Sequence, residues 1–257
     1  MVPYKFKPIV KTFPREWTYI HIYPVSDLHK GDAHCNITKF RAWIKQVLAD
    51  PRGYVVIGGD MINNGIFGSK TNSYEETEPP DAQTDWVVNE LKPLADAGRI
   101  LAVVPGNHET RSWRQVGHNP AREMCIQLGI LDVYRPEAAF IKIKIGTYDK
   151  KTQQVYGLLV THGSSRLKHD KFCVAIEGVD CFISGHDHQS RIQPMCRIRF
   201  DLSHESVITI PYKEVVLPAF LEYGGYGITN EYPPQSYQDV VQIHLSGKRK
   251  KVSVSYI

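Results

Sequence analysis

Ligand-type side chains cluster in five short segments of this 257-residue chain: Asp27-Leu28-His29, Gly59-Asp60, Gly106-Asn107-His108-Glu109, His162-Gly163 and Gly185-His186-Asp187-His188. The donors on offer are carboxylates, an amide and imidazoles, with no thiolate. That mixture suits borderline-to-hard divalent ions such as Mn²⁺, Fe or Zn²⁺ and is unlike the sulfur-rich cage of a structural zinc site. Asp27 and His29 stand at i and i+2, which in an extended segment turns both side chains to one side, so both can reach one ion. His186 and His188 repeat that spacing. Singly, a D-x-H or a G-D pair is more often structural than functional. The ordered series of five carries the argument.

The elements that must position these residues are short and apolar. Thr18 to Val25 reads as a strand that runs into the loop Ser26–Asp32. Asn36 is placed to cap a helix reaching about Ala49, because Phe40, Ile44 and Leu48 recur at helical spacing. Tyr54–Ile57 forms a second strand and delivers Asp60. A helix is expected from about Thr84 to Ala97, and the strand Ile100–Val104 then delivers Asn107. Strand, loop, helix and strand in this order imply an α/β fold with a parallel sheet, whose ligands gather at the carboxyl ends of the strands. Further strands are expected over Ala139–Ile145, Gln154–Thr161 and Val179–Ser184, with β-rich stretches from about Arg197 to Tyr256. A second sheet packed on the first is the natural architecture.

The series D-x-H, G-D, G-N-H-E, H-G and G-H-x-H resembles the calcineurin-like metallophosphoesterase superfamily, in its small bacterial or bacteriophage form. The motifs run from Asp27 to His188, about the first three quarters of the chain. The resemblance implies a four-layer α/β/β/α sandwich, two mixed sheets flanked by helices, as one domain over residues 1–257. It implies two divalent metal ions, Mn²⁺ first and Fe, Zn²⁺ or Ni²⁺ as the other candidates. Asp27, His29 and His188 would hold one ion and Asn107, His162 and His186 the other, with Asp60 bridging. Two metals about 3.5–4 Å apart share a hydroxide and lower the pKa of its parent water, so attack on phosphorus is the implied reaction. The histidine of G-N-H-E lies near the leaving group in the family, which makes His108 the candidate general acid.

One departure narrows the reading. Ser/Thr protein phosphatases carry G-D-x-x-D-R-G, and their second Asp hydrogen-bonds the catalytic histidine. Here the segment is Gly59-Asp60-Met61-Ile62-Asn63-Asn64-Gly65. Asn63 can accept a hydrogen bond but cannot stabilise an imidazolium by charge. Either Asn63 orients His108 weakly or another group does so. Arg111, just beyond His108, has the fork geometry to bind a substrate phosphate, and Asn63 and Arg111 are the two substrate-binding candidates. Trp113, Tyr74 and Tyr4 could stack a base.

The remaining features set bounds. Lys plus Arg number 31 against 27 Asp plus Glu, a formal charge of +4, which fits an anionic substrate without demanding nucleic acid. The five cysteines include no C-x-x-C, and the N-terminal segment has no apolar signal region, so a cytoplasmic protein with reduced thiols is expected. No apolar run approaches the ~18 residues of a membrane span. Met61 to Ala82, with its acidic run Tyr74–Glu78, is too long for a simple connector, and loop 61–82 is a candidate lid. The expected activity is hydrolysis of a phosphodiester in a nucleic acid or nucleotide. The alternatives are a phosphomonoesterase or protein phosphatase, and a binding module that keeps the fold without catalysis.

Overall fold

The computed structural model describes residues 7–69, 73–148, 152–164, 166–225, 228, 234 and 240–257. Tyr4 lies outside them. The strands and helices follow the chain as β1 (Ile9–Thr12), β2 (Tyr19–Val25), α1 (Ile37–Ala49), β3 (Gly53–Ile57), α2 (Pro80–Asp96), β4 (Ile100–Val103), α3 (Asn107–Val116), α4 (Pro120–Gln127), β5 (Ala138–Ile145), β6 (Gln154–Thr161), α5 (Arg166–Val174), β7 (Cys181–Ser184), β8 (Arg191–Asp201), β9 (Ser206–Val216), β10 (Val241–Ser246) and β11 (Val252–Tyr256).

The strands form two mixed sheets, ordered β11-β10-β2-β3-β4 and β1-β5-β6-β7-β9-β8. Strands β2, β3 and β4 run parallel, as do β6 and β7, so each group presents its carboxyl ends together. Alternation along β6 and β7 shows why two sheets pack. Leu158, Val160, Cys181 and Ile183 join the large core shared by both sheets, whereas Leu159 and Phe182 point to the other face, beside Cys173 of α5. Val55, Val56 and Ile57 are buried in succession, as in a parallel strand covered on both faces.

Helix α1 begins where expected: the Asn36 side chain accepts the Lys39 N–H at 2.8 Å. It buries Phe40, Trp43, Ile44 and Val47, each contributing roughly 1.5–3 kcal/mol by leaving water. Helix α2 starts at Pro80, earlier than Thr84, because a proline at the first helical position presets φ and lacks an N–H that would have no partner. Helices α3 and α4 were not anticipated from the residues. In α3 only Glu109 and Ser112 are buried, so the apolar spacing that announces a helix is missing. The five cysteines are all free thiols.

Candidate metal centre

All five ligand segments follow strand carboxyl ends: those of β2, β3, β4, β6 and β7. Backbone pairing continues past β2 and β3 into the loops. Asp27 N donates to Gly59 O at 3.0 Å, His29 N to Asp60 O at 3.0 Å, and Lys30 N to Met61 O at 3.1 Å. These segments are not extended, however. Asp27, His29, Asp60, His186 and His188 all have φ between +50° and +70°. The expectation that an extended D-x-H turns both side chains to one side is therefore corrected: left-handed turns, not strand alternation, bring Asp27 and His29 together. Among the described residues seven non-glycine positions have positive φ, and these five are the majority. Left-handed backbone in side-chain-bearing residues costs energy and concentrates at functional sites.

The side chains converge in two groups, with Asp60 in the second and within reach of His29 of the first. In the first, His188 Nε2 lies 3.2 Å from Asp27 Oδ1 and 3.1 Å from His29 Nε2. In the second, His162 Nε2 lies 3.1 Å from Asp60 Oδ2 and 2.9 Å from Asn107 Oδ1, and His186 Nδ1 is 2.7 Å from the same amide oxygen. Ligand atoms of Asp27, His29 and His188 lie within 4.8 Å of one another, as do those of Asp60, His162 and His186. Asp60 also groups with His29 and His108.

A family model described as calcineurin-like phosphoesterase matches residues 20–190. The chain belongs to the calcineurin-like phosphoesterase family. None of the curated proteins compared with it matches. Three solved structures are similar to the chain over most of its length. The calcineurin-like phosphoesterase YfkN from Bacillus subtilis is 11% identical with TM-score 0.43, covering 93% of this chain and 91% of that one. Vps29 complexed with zinc, from Entamoeba histolytica, is 11% identical with TM-score 0.41, at 93% and 98% coverage. GAP50, the anchor in the inner membrane complex of Plasmodium, is 12% identical with TM-score 0.45, at 94% and 85% coverage.

Calcineurin-like phosphoesterases act on phosphate esters with divalent metals, and the electrostatics here fit such ions. Asp27 and Asp60 are buried carboxylates packed among imidazoles. Burial alone would raise Asp27, but the hydrogen bond and charge of His188, with His162, outweigh it and hold the carboxyl at about 2. Asp60 likewise stays well below the usual range, burial being overcome by His162, His108 and His29. His162 and His29 diverge, and their neighbours explain it. Burial lowers both. The Asp60 carboxylate lifts His162 to about 10, whereas His108 and His188 help push His29 to about 3. His162 Nδ1 also faces Gly58 O at 2.8 Å. Donation there leaves the Nε2 lone pair turned inward, the usual outer-sphere arrangement for a metal-binding histidine.

A glutamate holds the loops. Glu109 is fully buried at the start of α3. Its Oε2 accepts N–H groups of Asp60 (2.9 Å) and Gly106 (2.8 Å), and its Oε1 those of Met61 (2.7 Å) and Ile62 (3.3 Å). Burial and the Asp60 carboxylate push Glu109 up to about 7, against these N–H donors, which favour the ionised form. One carboxylate thus locks the Asp60 loop to the Asn107 loop. They pass so closely that a Cβ on Gly106 would lie 2.0 Å from Asp60 Oδ1, so only glycine fits. The residues offered a clue to Glu109, since a Glu three positions after Gly106 sits where it can cap a helix.

Of the remaining candidates, His108 is half-buried with Nε2 3.8 Å from Asp60 Oδ2. Its Nδ1 meets the backbone carbonyl of Asn63 at 2.5 Å. The Asn63 side chain turns away and donates to Glu76 at 2.7 Å. Arg111 donates through Nη1 to the carbonyls of Asn64 (3.0 Å) and Asn63 (3.4 Å), beside His108 rather than among the ligand-type residues. Loop 61–82 does not stand off as a whole. Thr77 N donates to Gly31 O at 2.9 Å and Glu78 pairs with Lys30, so its acidic end lies on the His29 loop. Phe67 and Tyr74 are each 96% exposed. Lys248 to Lys250 form the turn between β10 and β11, with Lys250 Nζ 2.6 Å from Asp180 Oδ2.

Proposed function

We propose that this chain is a dinuclear metal-dependent phosphodiesterase acting on nucleotides or nucleic acid. The observation that carries the reading is the convergence of donors from five strand ends into two neighbouring groups, Asp60 of the second lying within reach of His29 of the first. Asp27, His29 and His188 would hold one ion, Asn107, His162 and His186 the other, and Asp60 both. The resemblance puts Mn²⁺ first, and Fe, Zn²⁺ and Ni²⁺ also fit this oxygen and nitrogen set. Bound divalent ions would supply a water of lowered pKa and a Lewis acid for the phosphoryl oxygens.

The chain's own residues do the rest. His108, with Nδ1 held by the Asn63 carbonyl, keeps Nε2 on the centre's side and delivers a proton to the leaving oxygen as the P–O bond breaks. Arg111 places its cation next to His108, where a phosphate oxygen of the substrate can meet it. No aspartate follows Asp60 at the position that orients the histidine in Ser/Thr protein phosphatases, which supports a diester over a phosphoprotein. No helix among the described residues is long and apolar enough to cross a membrane.

The test is hydrolysis by Mn²⁺-loaded protein of bis-nitrophenyl phosphate, nitrophenyl phosphate and short oligonucleotides, with Asp60→Ala as control. Faster turnover of the diester, abolished in Asp60→Ala, is expected. A strong monoester preference would make the chain a phosphomonoesterase. Absence of both turnover and bound metal would make it a binding module.

A further inference from the structure

The partner of His108 Nδ1 is a carbonyl, not a carboxylate. A carbonyl orients an imidazole but offers only a dipole, so whatever fixes Asn63 also fixes His108. Asn63 N donates to Lys30 O at 2.8 Å, and Glu76 holds the Asn63 side chain from thirteen residues away. Its Oε1 accepts Asn63 Nδ2–H at 2.7 Å, its Oε2 accepts Gln83 Nε2–H at 2.6 Å, and the Gly65 backbone hydrogen-bonds the same carboxylate. The surroundings are shaped to the carboxylate. A Cβ on Gly65 would stand 2.2 Å from Glu76 Oε1, so the backbone approaches as only glycine allows. The neighbours on either side of this contact are fastened too. Thr77 donates through both N and Oγ1 to Gly31 O at 2.9 and 3.1 Å, and Asn64 Nδ2 donates to His108 O at 2.6 Å.

We propose that Glu76 is the positioning residue for His108. Its carboxylate holds Asn63 to Gly65 so that the Asn63 carbonyl meets His108 Nδ1 and Nε2 faces the reacting ester. Glu76 thereby supplies, through Asn63, the carboxylate that the chain lacks at position 63. This rests on the phosphodiesterase reading for the step it serves. In that step the Nε2 proton passes to the leaving alkoxide as its bond to phosphorus breaks, and His108 later recovers a proton from water.

The first readout needs no activity. In metal-free protein labelled with ¹⁵N-histidine, wild type should show His108 as a hydrogen-bonded Nδ1–H. Glu76→Ala should lose that signature while the His162 signal stays in place. Asn63→Ala cuts the same link from its other end and should do likewise, which keeps the test decisive if Glu76→Ala folds poorly. The second readout uses Mn²⁺-loaded protein and two diesters, one with a nitrophenolate leaving group and one with an alkyl alcohol. Glu76→Ala should lower kcat on the alkyl ester about 10–100-fold, part of the ~10²–10⁴-fold that a positioned acid contributes. KM should move less than about twofold, and the nitrophenyl ester should lose far less, since its leaving group needs no proton. Glu76→Gln, which keeps an acceptor for Asn63, should recover most of the rate. In a His108→Ala background, Glu76→Ala should add no further loss. An unchanged His108 signature in both Glu76→Ala and Asn63→Ala, or losses that simply add, would overturn the proposal. A lost signature alongside an inactive wild type would uphold the positioning role and overturn the phosphodiesterase reading instead.

Discussion

The centre has a floor and a rim, and they are built differently. Asp27, His29 and Asp60, from the β2 and β3 loops, are at most 4% exposed. Asn107 and His186 are exposed, and the His188 side chain is 39% exposed. The floor is tied by backbone pairing between its loops and by the four N–H groups that Glu109 gathers. The rim loop from β7 is tied to the floor through Asp27, which accepts His186 N–H at 3.1 and 3.0 Å from its two oxygens. Charge is thus fixed where water is excluded, and the residues that can meet an incoming phosphate stay accessible. A buried carboxylate has few ways to relax when its partners change, whereas an exposed imidazole can be replaced in part by solvent.

Ligand deletions should expose that contrast most strongly. Asp60→Ala removes the donor proposed to bridge the two ions, so metal titration by calorimetry should find neither ion bound tightly, with hydrolysis at background. His186→Ala removes a rim donor whose place water can take. Its loss of metal affinity should be nearer the about 10–100-fold typical of outer-sphere groups. Equal losses from the two variants would erase the distinction between floor and rim.

Glu109→Ala tests the floor without touching a ligand. It strands buried N–H donors of Asp60, Met61, Ile62 and Gly106, each costing roughly 1–3 kcal/mol when unpaired. Even with partial relaxation the total should exceed about 4 kcal/mol, an unusually large single-residue effect. At about 2–4 °C per kcal/mol for a chain of this size, Tm should drop by roughly 10 °C or more, measured by circular dichroism. Glu109→Gln keeps one acceptor oxygen and should fall between. A small shift would mean that the backbone pairing of the loops holds the floor without its carboxylate.

The residue types of the candidate centre were legible in the sequence, and its geometry was not. Asp27, His29, Asp60, Asn107, His162, His186 and His188 stand out because apolar strands must end in polar loops, and ligand-type residues recur at those ends. Their left-handed backbone is invisible to side-chain alternation, which is why an extended D-x-H was the natural but mistaken picture. Asn63 was identified as the unusual residue of its motif. Its carbonyl rather than its side chain meets His108, because Glu76 draws the amide away. Glu76 itself lies in a stretch without periodicity, where nothing in the spacing links it to Asn63. The β8–β9 ladder begins at Arg191, ahead of the expected β-rich region near Arg197, because Arg191 to Pro194 pair with the end of β9 that also meets β7.

The smallest effect is expected at the exposed turn of loop 61–82. Phe67 sits in the turn where Ser69 N donates to Ile66 O at 3.0 Å, with its ring almost wholly in solvent. Phe67→Ser removes no buried contact, so stability should change by less than about 0.5 kcal/mol. If the fastened acidic end of loop 61–82 and its exposed tip are independent, kcat/KM on bis-nitrophenyl phosphate should also be unchanged. A tenfold fall in that rate at constant Tm would show that the tip closes over the bound ester.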